Sequence, residues 1–205
     1  MNVSLVHITP KCEELIGHCA RVSSPNSEGK DYKPLLKYCI NHKHWSIFEM
    51  GNMCVEIVTS RAIAQQILRH RSFHFQEFSQ RYSKATRFEL YEARRQDEKN
   101  RQNSIDNMSG EDKDWFRSAQ QNVQDMSLGY YQEALARGVA KEQARFLLPL
   151  STESRLYMNG TIRDWIHYLN LRDEKGTQLE HQRIARDIKK IFAKELPTIA
   201  NILEW

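Results

Sequence analysis

"RHRSFHFQEFSQRY", Arg69 to Tyr82, packs three arginines, two histidines and one carboxylate among aromatic residues. Like charges side by side repel, so cations are normally spread over a surface. Just upstream, Arg61 to Arg69 reads as a helix. Ile63, Ala64, Ile67 and Leu68 make its apolar side, while Gln65, Gln66 and Arg69 share the other. Either the helix ends near His70 or Arg71 is buried against an anionic partner. Both readings constrain Arg71, because a buried, unpaired guanidinium is very costly. Phe73, Phe75, Phe78 and Tyr82 are expected to anchor the segment and hold its arginines in place.

Arginine offers a planar fork that matches phosphate and carboxylate oxygens. Arg69, Arg71, Arg81, Arg145, Arg163 and Arg172 are therefore candidates for gripping a phosphorylated or carboxylated ligand. Ser79 offers a hydroxyl and Gln66 an amide. Glu77 suits either a ribose hydroxyl or the orientation of an arginine. The bland alternative is a solvated helix end whose cations favour the helix dipole.

The chain has 205 residues, with 30 basic and 26 acidic, giving a net charge of +4. That bias is mild for a polyanion binder, while a small anion needs only a local cluster. The hydrophobic fraction is 40% and the mean hydropathy −0.69, so the surface is heavily charged or polar residues are buried in a site. The length suits one domain, residues 1–205, with a single sizeable core.

Four cysteines occur without a CxxC pair, so a zinc site has little support and no metal is expected. No apolar run is long enough to span a membrane, and the first residues lack a signal-peptide core. A cytoplasmic location with free thiols is the expectation. Cys39 and Cys54 lie in apolar patterns and are read as core thiols. Neither GxGxxG nor GxxxxGK[ST] is present.

Along the chain, Asn2 to Thr9 suits a strand and Lys11 to Arg21 a helix. Ser23 to Asp31 is loop chemistry, and Lys33 to Asn41 is helical. In "NMCVEIVTS", Met53, Val55 and Ile57 alternate with Cys54, Glu56 and Val58, the pattern of a strand. Arg87 to Asp114 is a polar excursion, too hydrophilic for a core. Trp115 to Arg137 reads as a long helix, with Asp112 or Asp114 near its cap and Gly138 at its stop. A short helix, Lys141 to Leu148, ends at Pro149. Ser154 to Leu169 and Gln178 to Ala193 read as two further helices. The fold class is α+β, helix-rich with a small, mainly antiparallel sheet. Residue chemistry alone stops at a basic site for a small anion, with histidines nearby.

Arg69-His70-Arg71, seven residues, then Ser79, Arg81 and Tyr82, resembles the signature of flavin-dependent thymidylate synthases. "HKHWSIFEM" (His42 to Met50), "ARFLLPLSTESRLYMNGTIRDWIHYL" (Ala144 to Leu169) and "TQLEHQRIA" (Thr177 to Ala185) are similar to further blocks of that family, in the same order. The resemblance implies reductive methylation of dUMP to dTMP. The methylene comes from 5,10-methylenetetrahydrofolate and the reducing equivalents from NADPH through FAD. It also implies a homotetramer with active sites between subunits, no cysteine nucleophile, and neither nucleic acid nor membrane as partner.

Carried over by motif position, Arg81 and Arg145 grip the dUMP phosphate, helped by Ser79 and the backbone at Gln80. Gln66, Arg69 and Glu77 complete the nucleotide site, and Arg172 is the catalytic contact to the uracil. FAD is held by Ser23, Ser46, Glu49, Arg69, His70, Arg71, Glu77, Thr161, Arg163 and His167. His44 lies on the folate and nicotinamide side. The rival reading is a nucleic-acid-binding module that uses residues 69–82 as a basic, aromatic surface.

Overall fold

The computed structural model describes residues 1–22 and 31–205. Strand β1 (Asn2–Ile8) leads into helices α1 (Cys12–Cys19) and α2 (Lys33–Asn41), then a 3-10 turn over Trp45–Glu49. Strand β2 (Asn52–Ser60) runs directly into α3 (Arg61–Ile67), and β3 (His74–Glu77) follows after a turn. The polar excursion carries a two-stranded ribbon, β4 (Arg95–Gln96) and β5 (Ser104–Ile105). Beyond it come α4 (Gly110–Ala136) and α5 (Lys141–Ala144), then strand β6 (Glu153–Thr161). Helices α6 (Ile162–Arg172), α7 (Leu179–Glu195) and α8 (Pro197–Ile202) complete the chain. The fold is α+β, as its composition of elements implied.

The main sheet has the order β1-β2-β6-β3, with every neighbouring pair antiparallel. Strands β2 and β6 form its centre. Met53, Val55 and Ile57 of β2 and Leu156 and Met158 of β6 point to the same, buried face. Trp165, Ile166 and Leu169 of α6 and Ile184, Ile188 and Phe192 of α7 belong to the same core cluster. Each such side chain removed from water stabilises the fold by about 1.5–3 kcal/mol. Trp165 also donates its indole N–H to the Met53 carbonyl at 2.9 Å, which pins α6 to the sheet.

Four expectations are corrected. First, Ser154 to Leu169 is not one helix. Its first half is the central strand β6, in which Ser154, Leu156, Met158 and Gly160 are buried in alternation. Two of those four inner positions carry no apolar side chain, which blurred the period of two. The helix begins only after Thr161, whose hydroxyl accepts from the Asp164 N–H while the Asp164 carboxylate accepts from the Thr161 N–H. That reciprocal box satisfies two donors that a helix start otherwise leaves orphaned.

Second, α4 starts five residues before Trp115, at Gly110. Ser109 is its cap, accepting from the Asp112 N–H at 3.1 Å, and Asp112 sits in the first turn. Gly138, at φ +85°, takes the left-handed geometry that ends the helix.

Third, Cys54 is no core thiol. The alternation that buries Met53 and Val55 turns it onto the outer, half-exposed face, whereas Cys39 is buried. Fourth, Tyr82 does not anchor the segment in the core: it is 72% exposed, with the Arg81 guanidinium over its ring at 5.8 Å. The residues 23–30, and with them Ser23 and most of the loop reading, lie outside the described residues.

Candidate active site

Helix α3 stops at Ile67 and the chain turns through His70 to Phe73, where the Phe73 N–H returns to the His70 carbonyl. Arg71 therefore leaves the helix and is exposed rather than buried. The turn is fastened by Phe73. Its buried ring packs edge-on to Trp165 with centroids 4.7 Å apart, and lies against Gly160 of β6. A Cβ at residue 160 would meet the Phe73 ring at 2.5 Å, so only glycine lets the turn dock here.

This docking presents His70 to the end of α6. Arg172 donates from Nε to His70 Nε2 at 2.8 Å. The His70 ring also stands edge-on to Tyr168, with centroids 4.8 Å apart. Burial, together with the Arg172 charge and His167, pushes the His70 imidazole down to about 4. His70 is thus neutral near pH 7, with its Nε2 lone pair turned toward the guanidinium and its proton on Nδ1.

Two more candidate cations meet on one residue of α5. Arg81 lies 3.4 Å from the Glu142 carboxylate, and Arg145 donates from Nε to the Glu142 carbonyl at 3.1 Å. The Ser79 hydroxyl accepts from the Arg81 N–H at 3.3 Å, which tightens the loop around them. Beside Ser79, the Gln80 side chain is only 4% exposed and its Nε2 has no partner among the described residues. A buried amide donor of that kind calls for an acceptor. Arg69 is exposed, and the described ion pairs engage neither it nor Arg71.

Glu77 has a structural share. Its Oε1 accepts from the buried Ser154 hydroxyl at 2.7 Å and lies 3.7 Å from Arg61, tying β3 to β6 and α3. Gln66 donates from Nε2 to Gln178 at 2.6 Å and faces His181 Nδ1 at 3.3 Å.

A cavity of roughly 480 Å³ opens beside α6. Its walls include Trp45, Glu49, Ser72, Thr161, Arg163 and His167. Arg163 is ion-paired to Glu49, which joins α6 to the 3-10 turn. Thr161 reaches this wall with its hydroxyl already bonded to Asp164 at 2.6 Å. Ser46 lies on the same 3-10 turn but is exposed and forms no part of the wall. His44, at the start of that turn, is exposed and stands edge-on to Tyr38, with centroids 5.8 Å apart. A second cavity, of roughly 350 Å³, is walled by Glu56, Lys84, Arg87 and Arg155 and includes none of the candidate residues.

A family model described as thymidylate synthase complementing protein matches residues 4–198. The chain belongs to this family, the flavin-dependent thymidylate synthases. It is 59% identical to the flavin-dependent thymidylate synthase of Synechocystis sp. over 193 residues, 94% of this chain and 90% of the other. It is 54% identical to a Paramecium bursaria Chlorella virus 1 protein named "Probable flavin-dependent thymidylate synthase", with both chains covered in full. The crystal structure of a UMP/dUMP methylase, PolB, from Streptomyces cacaoi bound with 5-Br dUMP has the same fold. Its TM-score is 0.89 at 24% identity, covering 99% of this chain and 94% of that one.

Within this flavin-dependent family fold, Cys12, Cys39 and Cys54 are poor nucleophiles. Burial raises the thiols of Cys39 and Cys54, and that of Cys12 to about 11. Asp164 is spent on its cap, and Asp173 on Arg186 and Lys189 at 2.7 and 2.9 Å. Sequence reasoning did not single out Trp45, Ser72 and Asn170 of the cavity wall, nor His181, Gln178 and Arg94 around Gln66. Gln178, His181 and Gln182 do share a helical spacing, which was the available signal. Among the described residues, no helix is long and apolar enough to cross a membrane.

Proposed function

We propose that residues 1–205 act as one domain that methylates dUMP to dTMP, with FAD as its flavin. The methylene donor in this reading is 5,10-methylenetetrahydrofolate and the reductant NADPH. The Arg172–His70 contact carries the proposal, because it joins a residue of the nucleotide set to one of the flavin set. A reaction that passes a one-carbon unit and reducing equivalents to a pyrimidine needs those two sets side by side.

The residues present fit both ligands. The cavity beside α6 offers an aromatic wall at Trp45 and a cation at Arg163, which suit a ring system carrying phosphates. Glu49, Arg163, His167 and the backbone at Thr161 hold the flavin there, with His70, Arg71 and Arg69 from the turn and Ser46 and Ser23 at the periphery. The flavin supplies the redox chemistry when bound. Arg81 and Arg145 clamp the dUMP phosphate, with Glu142 holding both in place. Ser79, the backbone at Gln80, Gln66, Arg69 and Glu77 complete the nucleotide site. His44 serves the face where folate or nicotinamide enters.

Arg172 is the catalytic residue. A fixed cation beside uracil N3 stabilises negative charge there without reorganisation, and His70 fixes the direction of its guanidinium. No cysteine takes part.

Assembly as a homotetramer with active sites between subunits is part of the reading. Trp115, Val123, Met126 and Tyr130 share one face of α4 and are all more than half exposed. A second copy of the chain is a natural cover for that stripe. The location proposed is the cytoplasm. Neither nucleic acid nor membrane is a proposed partner, since Glu49 and Glu142 sit among the arginines.

The test is an absorption spectrum of the purified protein, repeated after NADPH with and without dUMP. The expected result is a flavin spectrum that bleaches faster with dUMP, and folate-dependent dTMP formation. Flavin-bound protein that forms no dTMP from dUMP and the folate overturns the reading.

A further inference from the structure

A chain of hydrogen bonds runs behind Gln66, buried at its Glu180 and His181 ends and exposed at Gln178, and its polarity is set from the Glu180 end. Arg94 of the polar excursion reaches Glu180 of α7 at 2.7 Å, with side chains only 10% and 3% exposed. A paired, buried carboxylate of this kind accepts hydrogen bonds and donates none. Gln178 lies 2.9 Å from the other Glu180 oxygen through Nε2, so it must face the acid with its NH2. That turns the Gln178 carbonyl oxygen toward Gln66, which must answer with its own NH2, at 2.6 Å. The Gln66 carbonyl oxygen is then left facing His181 Nδ1 at 3.3 Å. His181 must donate there, so its proton is on Nδ1. Its Nε2 accepts from the Tyr168 hydroxyl at 3.0 Å.

We infer that His181 is a positioning residue for nucleotide binding, acting through Gln66: its Nδ1–H fixes the Gln66 amide with an N–H left to offer the nucleotide. This rests on the proposed place of Gln66 in the dUMP site. The surroundings suit the role. His181 is fully buried, and burial, with the Arg172 charge and the His70 ring nearby, lowers it to about 3, so it keeps a single ring proton. Burial holds Tyr168 as a phenol, able to donate. One N–H of Gln66 is committed to Gln178 and the other is free for an acceptor on the ligand. An amide flipped the other way would set its NH2 against the His181 N–H and its oxygen against the Gln178 oxygen. Both contacts would be repulsive, so the relay presents a donor.

His181 lies on α7, outside the blocks that carry the arginines, and touches none of the candidate phosphate ligands. Its contribution is therefore to the orientation of one amide. The class of ligand group it selects is a hydrogen-bond acceptor, such as a carbonyl or a sugar oxygen.

The test has two arms on the flavin-loaded enzyme. Long-range 1H–15N NMR reads the His181 tautomer without substrate; Nδ1–H is expected, and Nε2–H overturns the inference. In steady-state kinetics, His181→Leu is expected to raise the dUMP KM about fivefold, the size of one neutral hydrogen bond, with kcat nearly unchanged. His181→Asn, whose amide N–H sits close to the place of Nδ1–H, is expected to restore most of that loss. In a Gln66→Ala background, His181→Leu is expected to add nothing to the dUMP KM. A folded His181→Leu enzyme with the parent KM overturns the inference, as does an undiminished effect without Gln66. If His181→Leu fails to fold, the tautomer and the Asn variant still decide. Failure of Gln66→Ala to change dUMP binding would instead remove Gln66 from the nucleotide site, and the tautomer result would stand apart from it.

Discussion

Arg172 Nε donates to His70 Nε2 at 2.8 Å, coupling the last turn of α6 to the turn that follows α3. Neither residue is near the other in sequence. The contact holds only because His70 stays neutral, since an imidazolium has no lone pair to accept with.

Arg172→Ala is expected to lower dTMP formation by about a hundredfold or more, the scale on which removal of a preorganised charge donor acts. Bound FAD is expected to remain, because the cavity wall at Trp45 and Arg163 is untouched. Turnover and flavin content of the purified variant check both; parent-like turnover would remove Arg172 from catalysis.

Arg81→Ala is expected to weaken dUMP more than FAD. A charge-assisted contact of this kind contributes about 1.5–3 kcal/mol. Its Glu142 pair is exposed, so stability should change little. Calorimetric titration of each ligand separates the two; equal dUMP affinity in the variant would reject the phosphate role.

Gly160→Ala places a Cβ 2.5 Å from the Phe73 ring. Overpacking of this sort costs about 1–3 kcal/mol. A lower melting temperature is expected, with weaker dUMP binding because the arginine turn hangs on Phe73. An unchanged melting temperature would show that Phe73 is not the fastening point.

Stability should fall as pH drops below neutrality. His70 and His181 have folded values of about 4 and about 3, both below the ordinary 6.5. Between those limits the unfolded chain binds protons that the folded chain refuses, so stability rises with pH up to about 6.5 and is lost as pH falls toward 4 and then 3. Urea unfolding across that range is the measurement, and His181→Asn should flatten the slope. A parent-like slope in that variant would contradict a neutral, buried His181.

Arg94→Ala should destabilise strongly, by about 3–5 kcal/mol, because it strands Glu180 in the interior. Chemical denaturation reads the loss. A variant as stable as the parent would mean that the excursion is not bound to α7 through this pair.

The residue pattern by itself determined several elements. Alternation at Met53, Val55 and Ile57 specified β2, and the helical spacing around Leu36, Cys39 and Ile40 specified α2. Both signals are local: a strand or helix with one buried face writes its period into the chain. The arginine-rich stretch and the order of its neighbouring blocks carried the family. Strand β6 was illegible because Ser154 and Gly160 occupy inward positions, Gly160 being required by the Phe73 ring packed against it. Only the tertiary structure could place β6 between β2 and β3, pair Arg172 with His70, and join Arg94 to Glu180 across the excursion. Those relationships link residues far apart in the chain. Their partners are chosen by packing and by the need to satisfy buried polar groups, and neither leaves a period in the sequence.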